Sequence, residues 1–235
     1  MEPKRVVILI SGRGSNMAAL IDGARAAGYP ARIVGVLSDK PDAPGLELAA
    51  RAGISTRVVA RSDYASSDLH DGAIDEAIEE LGADIVCLAG YMRRLSAGFV
   101  RKWTGRLINI HPSLLPLFKG LNSHRQALEA GVRIHGCSVH FVTPAIDSGP
   151  IIAQAAVPVL PDDDENRLAA RVLAAEHRLY PVALRLVAEG HARMEGDRAV
   201  LTGLNLPVND ADRSLLSPEP DTTAVDVESL ARFTP

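Results

Sequence analysis

The sequence predicts an α/β protein built on a doubly wound, mostly parallel sheet with an antiparallel C-terminal portion. Short apolar runs rich in β-branched residues are typical of buried parallel strands, and they cover residues 5–10, 32–37, 55–59, 84–88 and 106–110. Segments with helical apolar spacing alternate with these runs, at residues 16–27, 44–53 and 68–81. This βαβ alternation indicates a sheet that is covered by helices on both faces.

The regular alternation of predicted strands and helices ends after residue 110. Residues 111–124 contain several Pro and Gly residues and predict a functional loop. The remaining elements are strands at 136–143 and 151–159 on either side of the loop PAIDSGP, a long helix at 165–189 and a hairpin at 191–202. We therefore assign residues 1–206 to a single domain.

Residues 207–235 differ from this domain and are predicted to form a C-terminal extension. Six acidic residues against two arginines give the extension a net charge of −4, which equals the net charge of the whole chain. With four prolines it is predicted to be extended or partly disordered. A partner-binding tail is the functional alternative.

The composition excludes several classes of protein. Of 235 residues, 47% are hydrophobic and 23% charged, which excludes a disordered, collagen-like or coiled-coil chain. There is no polybasic field, so we expect neither nucleic acid nor a membrane as a partner. Cys87 and Cys137 lie in apolar runs and are expected to be reduced and buried. The N-terminal apolar run is too short for a signal peptide, which predicts a cytoplasmic protein.

A glycine turn, SGRGSN at residues 11–16, follows the first predicted strand and precedes the first helix. Such a turn presents free N–H groups and the positive end of the helix dipole, which suits a phosphate. It is not a dinucleotide fingerprint, because Met17 occupies the third glycine position. The alternative is an ordinary tight turn, with Ser15 and Asn16 as N-caps of the helix.

The segment NIHPSLLP, residues 109–116, follows the fifth predicted strand. Ligands of open α/β sheets bind beyond the carboxyl ends of the strands. Asn109 and His111 are two residues apart, so they share one face of an extended segment. An amide can stabilise a developing oxyanion while an imidazole moves protons. The alternative interpretation is a polar strand end.

Asp147 lies in the Pro- and Gly-punctuated loop PAIDSGP. A carboxylate beside an imidazole favours the imidazolium form. The alternative is a turn-forming aspartate, and His140 on the preceding strand can equally be a structural histidine. The seven histidines show no metal-binding motif, so no metal is expected.

These segments occur in a specific order: GRGSN, AGYMRRLS, NIHPSLLP, FKG and HGCSVHFVTPAIDSGPII. In this order they resemble the formyltransferase family that uses 10-formyltetrahydrofolate, over about residues 4–205. The similarity is strongest to members that formylate the amine of phosphoribosylglycinamide in purine synthesis. It implies a Rossmann-like fold with a seven-stranded sheet, 10-formyltetrahydrofolate as co-substrate, small-molecule substrates, and a monomer or weak homodimer.

The resemblance also implies roles for particular residues. The catalytic residues would be Asn109, His111 and Asp147. The phosphoribosyl substrate would bind Gly14, Ser15 and Asn16 through its phosphate and Glu176 through its ribose. The folate would lie against Asn109 and two segments, Met92, Arg93, Arg94 and Leu95, and Thr143, Pro144, Ala145, Ile146 and Asp147. Lys119 and residues 123–125 would border the site.

The sequence differs from the family it resembles in two places. Ser66 and Ser67 stand where some relatives carry an arginine that contacts the folate tail, and Leu173 and Ala174 stand where a relative has polar residues.

Three other functions remain open. A hydrolase that releases formate from the same folate shares Asn, His and Asp, but usually resembles NIHHSFLP and carries an N-terminal regulatory domain. A transferase for initiator methionyl-tRNA would need a further C-terminal domain and a basic surface. A non-enzymatic nucleotide-binding regulatory module would explain the glycine turn but not Asn109, His111 and Asp147.

Overall fold

A computed structural model of the chain describes residues 2–203 and Ser217. The strands are β1 (Lys4–Ile10), β2 (Ala31–Ser38), β3 (Thr56–Val58), β4 (Ile85–Leu88), β5 (Leu107–His111), β6 (Ile134–Phe141), β7 (Ile151–Pro158), β8 (Ala192–Glu195) and β9 (Arg198–Leu201). The α-helices are α1 (Ser15–Ala24), α2 (Pro44–Arg51), α3 (Ser67–Glu80), α4 (Ala97–Lys102), α5 (Ser123–Glu129) and α6 (Glu165–Ala188), with a 3-10 helix at Arg61–Asp63. The predicted extension at 207–235 lies, except for Ser217, outside the described residues.

Within residues 2–203, seven strands form one sheet in the order β3-β2-β1-β4-β5-β6-β7. The strands β1 to β5 pair in parallel, whereas β6 is antiparallel to both β5 and β7. The hairpin of β8 and β9 forms a separate small sheet. This architecture confirms the predicted fold class, including its antiparallel C-terminal portion.

Helices cover both faces of the sheet because the central strands are apolar on both sides. Val6, Ile8 and Ile10 of β1 pack in a core with residues of α1 and α6. Val7 and Leu9, which point to the opposite face, pack with residues of α3 and α4. Both cysteines are free and buried, as expected. None of the helices in the described part of the chain has the length and apolar character needed to cross a membrane.

The predicted helix at 16–27 begins at Ser15. Neither Ser15 nor Asn16, the N-caps of the ordinary-turn alternative, occupies the N-cap position. The N-cap is Gly14, in a left-handed conformation with φ of 74°, and it makes no side-chain capping bond. A Cβ at Gly14 would lie 3.0 Å from the Cα of Gly45, at the start of α2. The turn therefore needs glycine both for its backbone angle and for its packing on α2.

Two short α-helices were not predicted. α4 begins after Ser96, whose Oγ accepts a hydrogen bond from Phe99 N. α5 begins at Ser123, inside the segment expected to be a loop. Each helix has two turns or fewer, which is too short for apolar periodicity to identify.

Candidate active site

A cavity of about 710 Å³ lies beyond the carboxyl ends of β4 and β5, next to the amino end of α1. The strand order reverses between β1 and β4, so this is the edge where a doubly wound sheet binds ligands. Its walls come from all the segments that carried the resemblance. They comprise Asn16, Leu88, residues 90–95, Val100, residues 109–112, residues 120–124, His140, residues 142–147, Glu165 and Glu176.

Asn109 and His140 are opposite each other in the antiparallel pair of β5 and β6. The ring nitrogen Nδ1 of His140 lies 2.8 Å from Phe141 O, an acceptor, which assigns the proton to Nδ1. Burial lowers the pKa of His140, so the ring is neutral and its Nε2 accepts from Asn109 Nδ2 at 3.3 Å. His140 is therefore more than a structural residue of the sheet, since it orients the Asn109 amide.

His111 is buried at the end of β5, with an oxygen atom near each ring nitrogen. Nε2 lies 3.0 Å from Phe118 O, and Nδ1 lies 3.4 Å from Asp147 Oδ2. An imidazolium would donate to both oxygens, whereas a neutral ring would donate to only one of them. The surroundings of this ring therefore suit its cationic form.

Asp147 occupies a left-handed backbone position with φ of 45°. Its Oδ2 accepts a hydrogen bond from Gly120 N at 2.9 Å, and its Oδ1 lies 3.8 Å from His140 Nε2. Asp147 can therefore be both a turn-forming residue and a partner of the imidazoles. Its side chain holds the loop at residues 117–122 and faces both His111 and His140.

Asn16 and Glu176 form a second polar pair in the cavity. Asn16 Nδ2 donates to Glu176 Oε2 at 2.7 Å, which joins α1 to α6. Burial raises the pKa of the Glu176 carboxyl, and the hydrogen bond from Asn16 opposes that rise. The buried Asn16 Oδ1 has no hydrogen-bond partner among the described residues. Gly14 and Ser15, predicted with Asn16, do not line the cavity.

The two segments expected to bind folate form part of the cavity wall. Arg94 Nη2 donates to Pro144 O at 3.3 Å and so joins the two segments. Met92 and Ile146 expose 65% and 55% of their surface, while Leu95 is buried. The guanidinium of Arg93 bonds to His70 on α3 and so makes a contact within the protein.

The residues expected to border the site are dispersed. Lys119 Nζ donates to Ser148 Oγ at 2.7 Å, and Arg125 forms an ion pair with Glu165 at 3.1 Å. Ser123 and His124 both line the cavity, and Ser123 is buried. Ser66 caps α3, and Ser67 Oγ accepts a hydrogen bond from Arg93 at 3.4 Å.

Sequence reasoning missed several cavity residues. The loop residues 120–122 lie in a segment that was predicted only to be a functional loop. Glu165 is the first residue of α6, from which only Glu176 was predicted as a site residue. Within the described residues, no group of three or more His, Cys, Asp or Glu side chains is arranged to hold a metal ion.

The sequence of this chain is similar to those of known formyl transferases. The sequence model of the family described as formyl transferase matches residues 4–184. The phosphoribosylglycinamide formyltransferase of Escherichia coli (strain K12) is 46% identical over 202 residues, which cover 86% of this chain and 95% of that protein. The crystal structure of phosphoribosylglycinamide formyltransferase from Brucella melitensis is 58% identical, with a TM-score of 0.77 over 80% of this chain and 96% of that one.

Other relatives differ in length or in identity. The trifunctional purine biosynthetic protein adenosine-3 of Bos taurus is 53% identical over 196 residues, but the chain spans only 19% of its length. A formyltetrahydrofolate deformylase structure from Pseudomonas syringae pv. tomato has a TM-score of 0.78, with 26% identity, over 85% of this chain and 66% of that one. The family match covers most of this chain, which therefore belongs to the formyl transferase family.

Proposed function

We propose that this chain transfers the formyl group of 10-formyltetrahydrofolate to the amine of phosphoribosylglycinamide. The products are the N-formyl compound and tetrahydrofolate, and the reaction is a step of purine biosynthesis. The observation that carries this proposal is the convergence of Asn109, His111 and Asp147 on one cavity that also holds the Asn16–Glu176 pair. The relatives named for this reaction support it.

The proposed reaction begins with attack of the neutral amine on the formyl carbon, which produces a tetrahedral oxyanion. The Asn109 amide has two N–H groups, of which one bonds to His140 and the other is free to stabilise this oxygen. Cationic His111 supplies the second stabilising charge. As the bond from carbon to the folate nitrogen breaks, the attacking amine loses a proton and that nitrogen gains one. His111 relays this proton once one of its N–H groups exchanges its protein acceptor for a substrate atom.

Asp147 has a supporting electrostatic role in this proposal. Its carboxylate, 3.4 Å from His111 Nδ1, favours the imidazolium and orients the ring. The charge on His111 is then present before the oxyanion forms, so little reorganisation is needed in the transition state.

The two substrates are proposed to bind at different walls. The phosphate would lie at the amino end of α1, near Gly14, Ser15 and Asn16, where first-turn N–H groups have no partner within the helix. Glu176 would accept hydrogen bonds from the ribose hydroxyls. The folate ring system would lie between residues 92–95 and residues 143–147, whose exposed side chains supply apolar contact.

We also propose that the protein acts in the cytoplasm, as a monomer or weak homodimer, without a metal ion and without nucleic-acid or membrane partners. The even balance of charge outside the C-terminal extension and the two free cysteines support this assignment.

One assay separates the proposed transferase from its alternatives. The protein is incubated with 10-formyltetrahydrofolate, with and without phosphoribosylglycinamide, and tetrahydrofolate and formate are quantified. We expect tetrahydrofolate only when the amine is present, in equal amount to the formylated product. Formate release without the amine would identify a hydrolase, and no turnover in either condition would indicate a binding module.

A further inference from the structure

Two adjacent residues of α3, His70 and Asp71, hold the 91–96 loop that forms one wall of the cavity. We propose that they are positioning residues for folate, because they fix the loop segment against which the folate ring system would bind. The inference rests on the proposed function for the identity of the ligand. Neither residue lines the cavity, so neither is expected to touch a substrate.

The chemistry of His70 is set by its surroundings. Its side chain has no exposed surface, and its Nε2 lies 2.7 Å from Val59 O. A carbonyl oxygen only accepts, so Nε2 carries the proton and the neutral ring presents the lone pair of Nδ1. The guanidinium of Arg93, a group that only donates, bonds to this Nδ1. Val59 thereby orients His70, and His70 orients Arg93.

Asp71 holds the same loop three residues further on. Its Oδ2 accepts a hydrogen bond from Ser96 N at 2.6 Å, at the start of α4. Its Oδ1 lies 4.0 Å from Arg93 Nη1 and balances the guanidinium charge. The carboxylate side chain is only 3% exposed, so both of its interactions occur where water screens them little. Consecutive residues of one helix therefore fix two points of the loop.

The beginning of the 91–96 loop is held by a further hydrogen bond that does not involve α3. Met92 N donates to Ser11 Oγ at 2.9 Å, and Ser11 in turn donates to Asp39. The beginning of the loop is therefore held by Ser11, the residue that follows β1, independently of α3. Without His70, the Arg93 guanidinium would lose its buried acceptor on α3. It would keep only the longer contacts to Ser67 Oγ at 3.4 Å and Asp71 Oδ1 at 4.0 Å, so its position would be less tightly fixed. Residues 93–95 would then no longer keep their present geometry.

The test compares two substitutions of His70, each of which retains one of the two hydrogen-bonding groups of the imidazole. His70→Asn retains an acceptor oxygen near the position of Nδ1, and His70→Gln retains a donor amide near the position of Nε2. We expect His70→Gln to raise the KM for 10-formyltetrahydrofolate by about tenfold, the scale of one hydrogen bond to a charged group. The KM for the amine substrate should not change. His70→Asn should retain a folate KM close to that of the parent protein, even if both variants lose similar stability in thermal unfolding.

A double-mutant cycle with Arg93→Met separates positioning from general destabilisation. If His70 acts through Arg93, His70→Gln should have no further effect on the folate KM in the Arg93→Met background. Equal folate KM values for the Asn and Gln variants, or additive effects in the cycle, would overturn the inference while leaving the proposed function intact. Failure of the proposed function would appear earlier, as a parent protein without amine-dependent turnover.

Discussion

At the scale of single residues, the site depends on His111 being held between two oxygens. Phe118 O and Asp147 Oδ2 lie near its two ring nitrogens, and Asp147 also accepts from Gly120 N. One carboxylate therefore contributes both to the charge state of the ring and to the shape of the loop beside it. A useful variant has to separate these two contributions.

Asp147→Asn provides this separation. Asparagine tolerates the left-handed backbone of residue 147 and keeps an oxygen that can accept from Gly120 N, but it carries no charge. We expect turnover to fall by about a hundredfold or more, as when one oxyanion-stabilising group is lost, with smaller changes in both KM values. Steady-state kinetics measure this split, and Ser148→Ala serves as the neighbouring control. Near-normal turnover of Asp147→Asn would reduce Asp147 to a turn-forming residue.

Glu176 predicts a pH dependence of stability. Because burial raises the pKa of its carboxyl above the ordinary value of 4.5, the folded protein binds this proton more tightly than the unfolded chain. The stability that comes from the protonated side chain is present below the unfolded pKa and is lost as pH rises through the folded pKa. Glutamine resembles the protonated form at every pH.

We therefore expect Glu176→Gln and the parent to have similar free energies of unfolding below the ordinary glutamate pKa. The variant should become the more stable protein as the pH approaches neutrality. Urea titrations across this range measure the difference, and the exposed residue Glu47 provides a control substitution, Glu47→Gln. A parent that is more stable than Glu176→Gln at neutral pH would contradict the assignment of burial as the dominant cause.

At the scale of secondary-structure elements, the amino end of α1 is positioned by contact with α2. Gly45 N donates to Gly12 O at 3.0 Å, and Gly14 leaves no room for a side chain against Gly45. The turn that directs α1 toward the cavity therefore depends on the close approach of two backbones. Asn16 reaches Glu176 only because α1 begins at this place.

Gly14→Ala and Gly28→Ala form a matched pair that tests this arrangement. Both glycines have φ near 75°, so alanine introduces similar backbone strain of about 1–2 kcal/mol at each. A Cβ at Gly28 meets no atom within 4 Å, whereas a Cβ at Gly14 meets Gly45 and Met17. We expect both variants to lose stability, but only Gly14→Ala to raise the KM for the amine substrate. Equal KM values in the two variants would show that the turn does not position the phosphate.

At the scale of the whole molecule, the described strands, helices and cavity-lining residues all lie within residues 2–203. The last described contact of the hairpin is Thr202 N donating to His191 O at 2.8 Å, and Ala192 of β8 is buried. All the predicted site residues lie before this point, and residues 207–235 contain none of them. The assignment of residues 207–235 to a separate extension remains a prediction.

Deleting the residues after Leu206 is expected to leave thermal stability and both KM values unchanged. The physical reason is that the deleted segment is acidic, rich in proline and poor in periodic apolar residues, so it has little surface to bury. A control truncation after Gly190, which removes the hairpin and the buried Ala192, should lower the melting temperature. A large loss of activity on deletion of 207–235 alone, with unchanged stability, would show that the extension acts at the site.

Local sequence patterns predicted most of the strands and helices, but they did not predict the short helices. The strands β1 to β7 and the helices α1, α2, α3 and α6 were predicted because their apolar residues repeat over enough positions to distinguish strand from helix. α4 and α5 are too short for this signal. Gly14 was not identified as the N-cap of α1, because its packing on Gly45 is a contact between distant segments.

The fold class and the chemical types of the site residues can be predicted from the sequence alone, because strand runs, turns and motif spacings are local properties. Which of those residues meet depends on the three-dimensional arrangement of the elements. Asn16 and Glu176 are separated by 160 positions, and Asn109 faces His140 only because β6 runs antiparallel to β5 in this register. A shift of one residue would turn His140 to the other face of the sheet. Contacts of this kind depend on strand order, register and helix packing, which no local pattern in the sequence specifies.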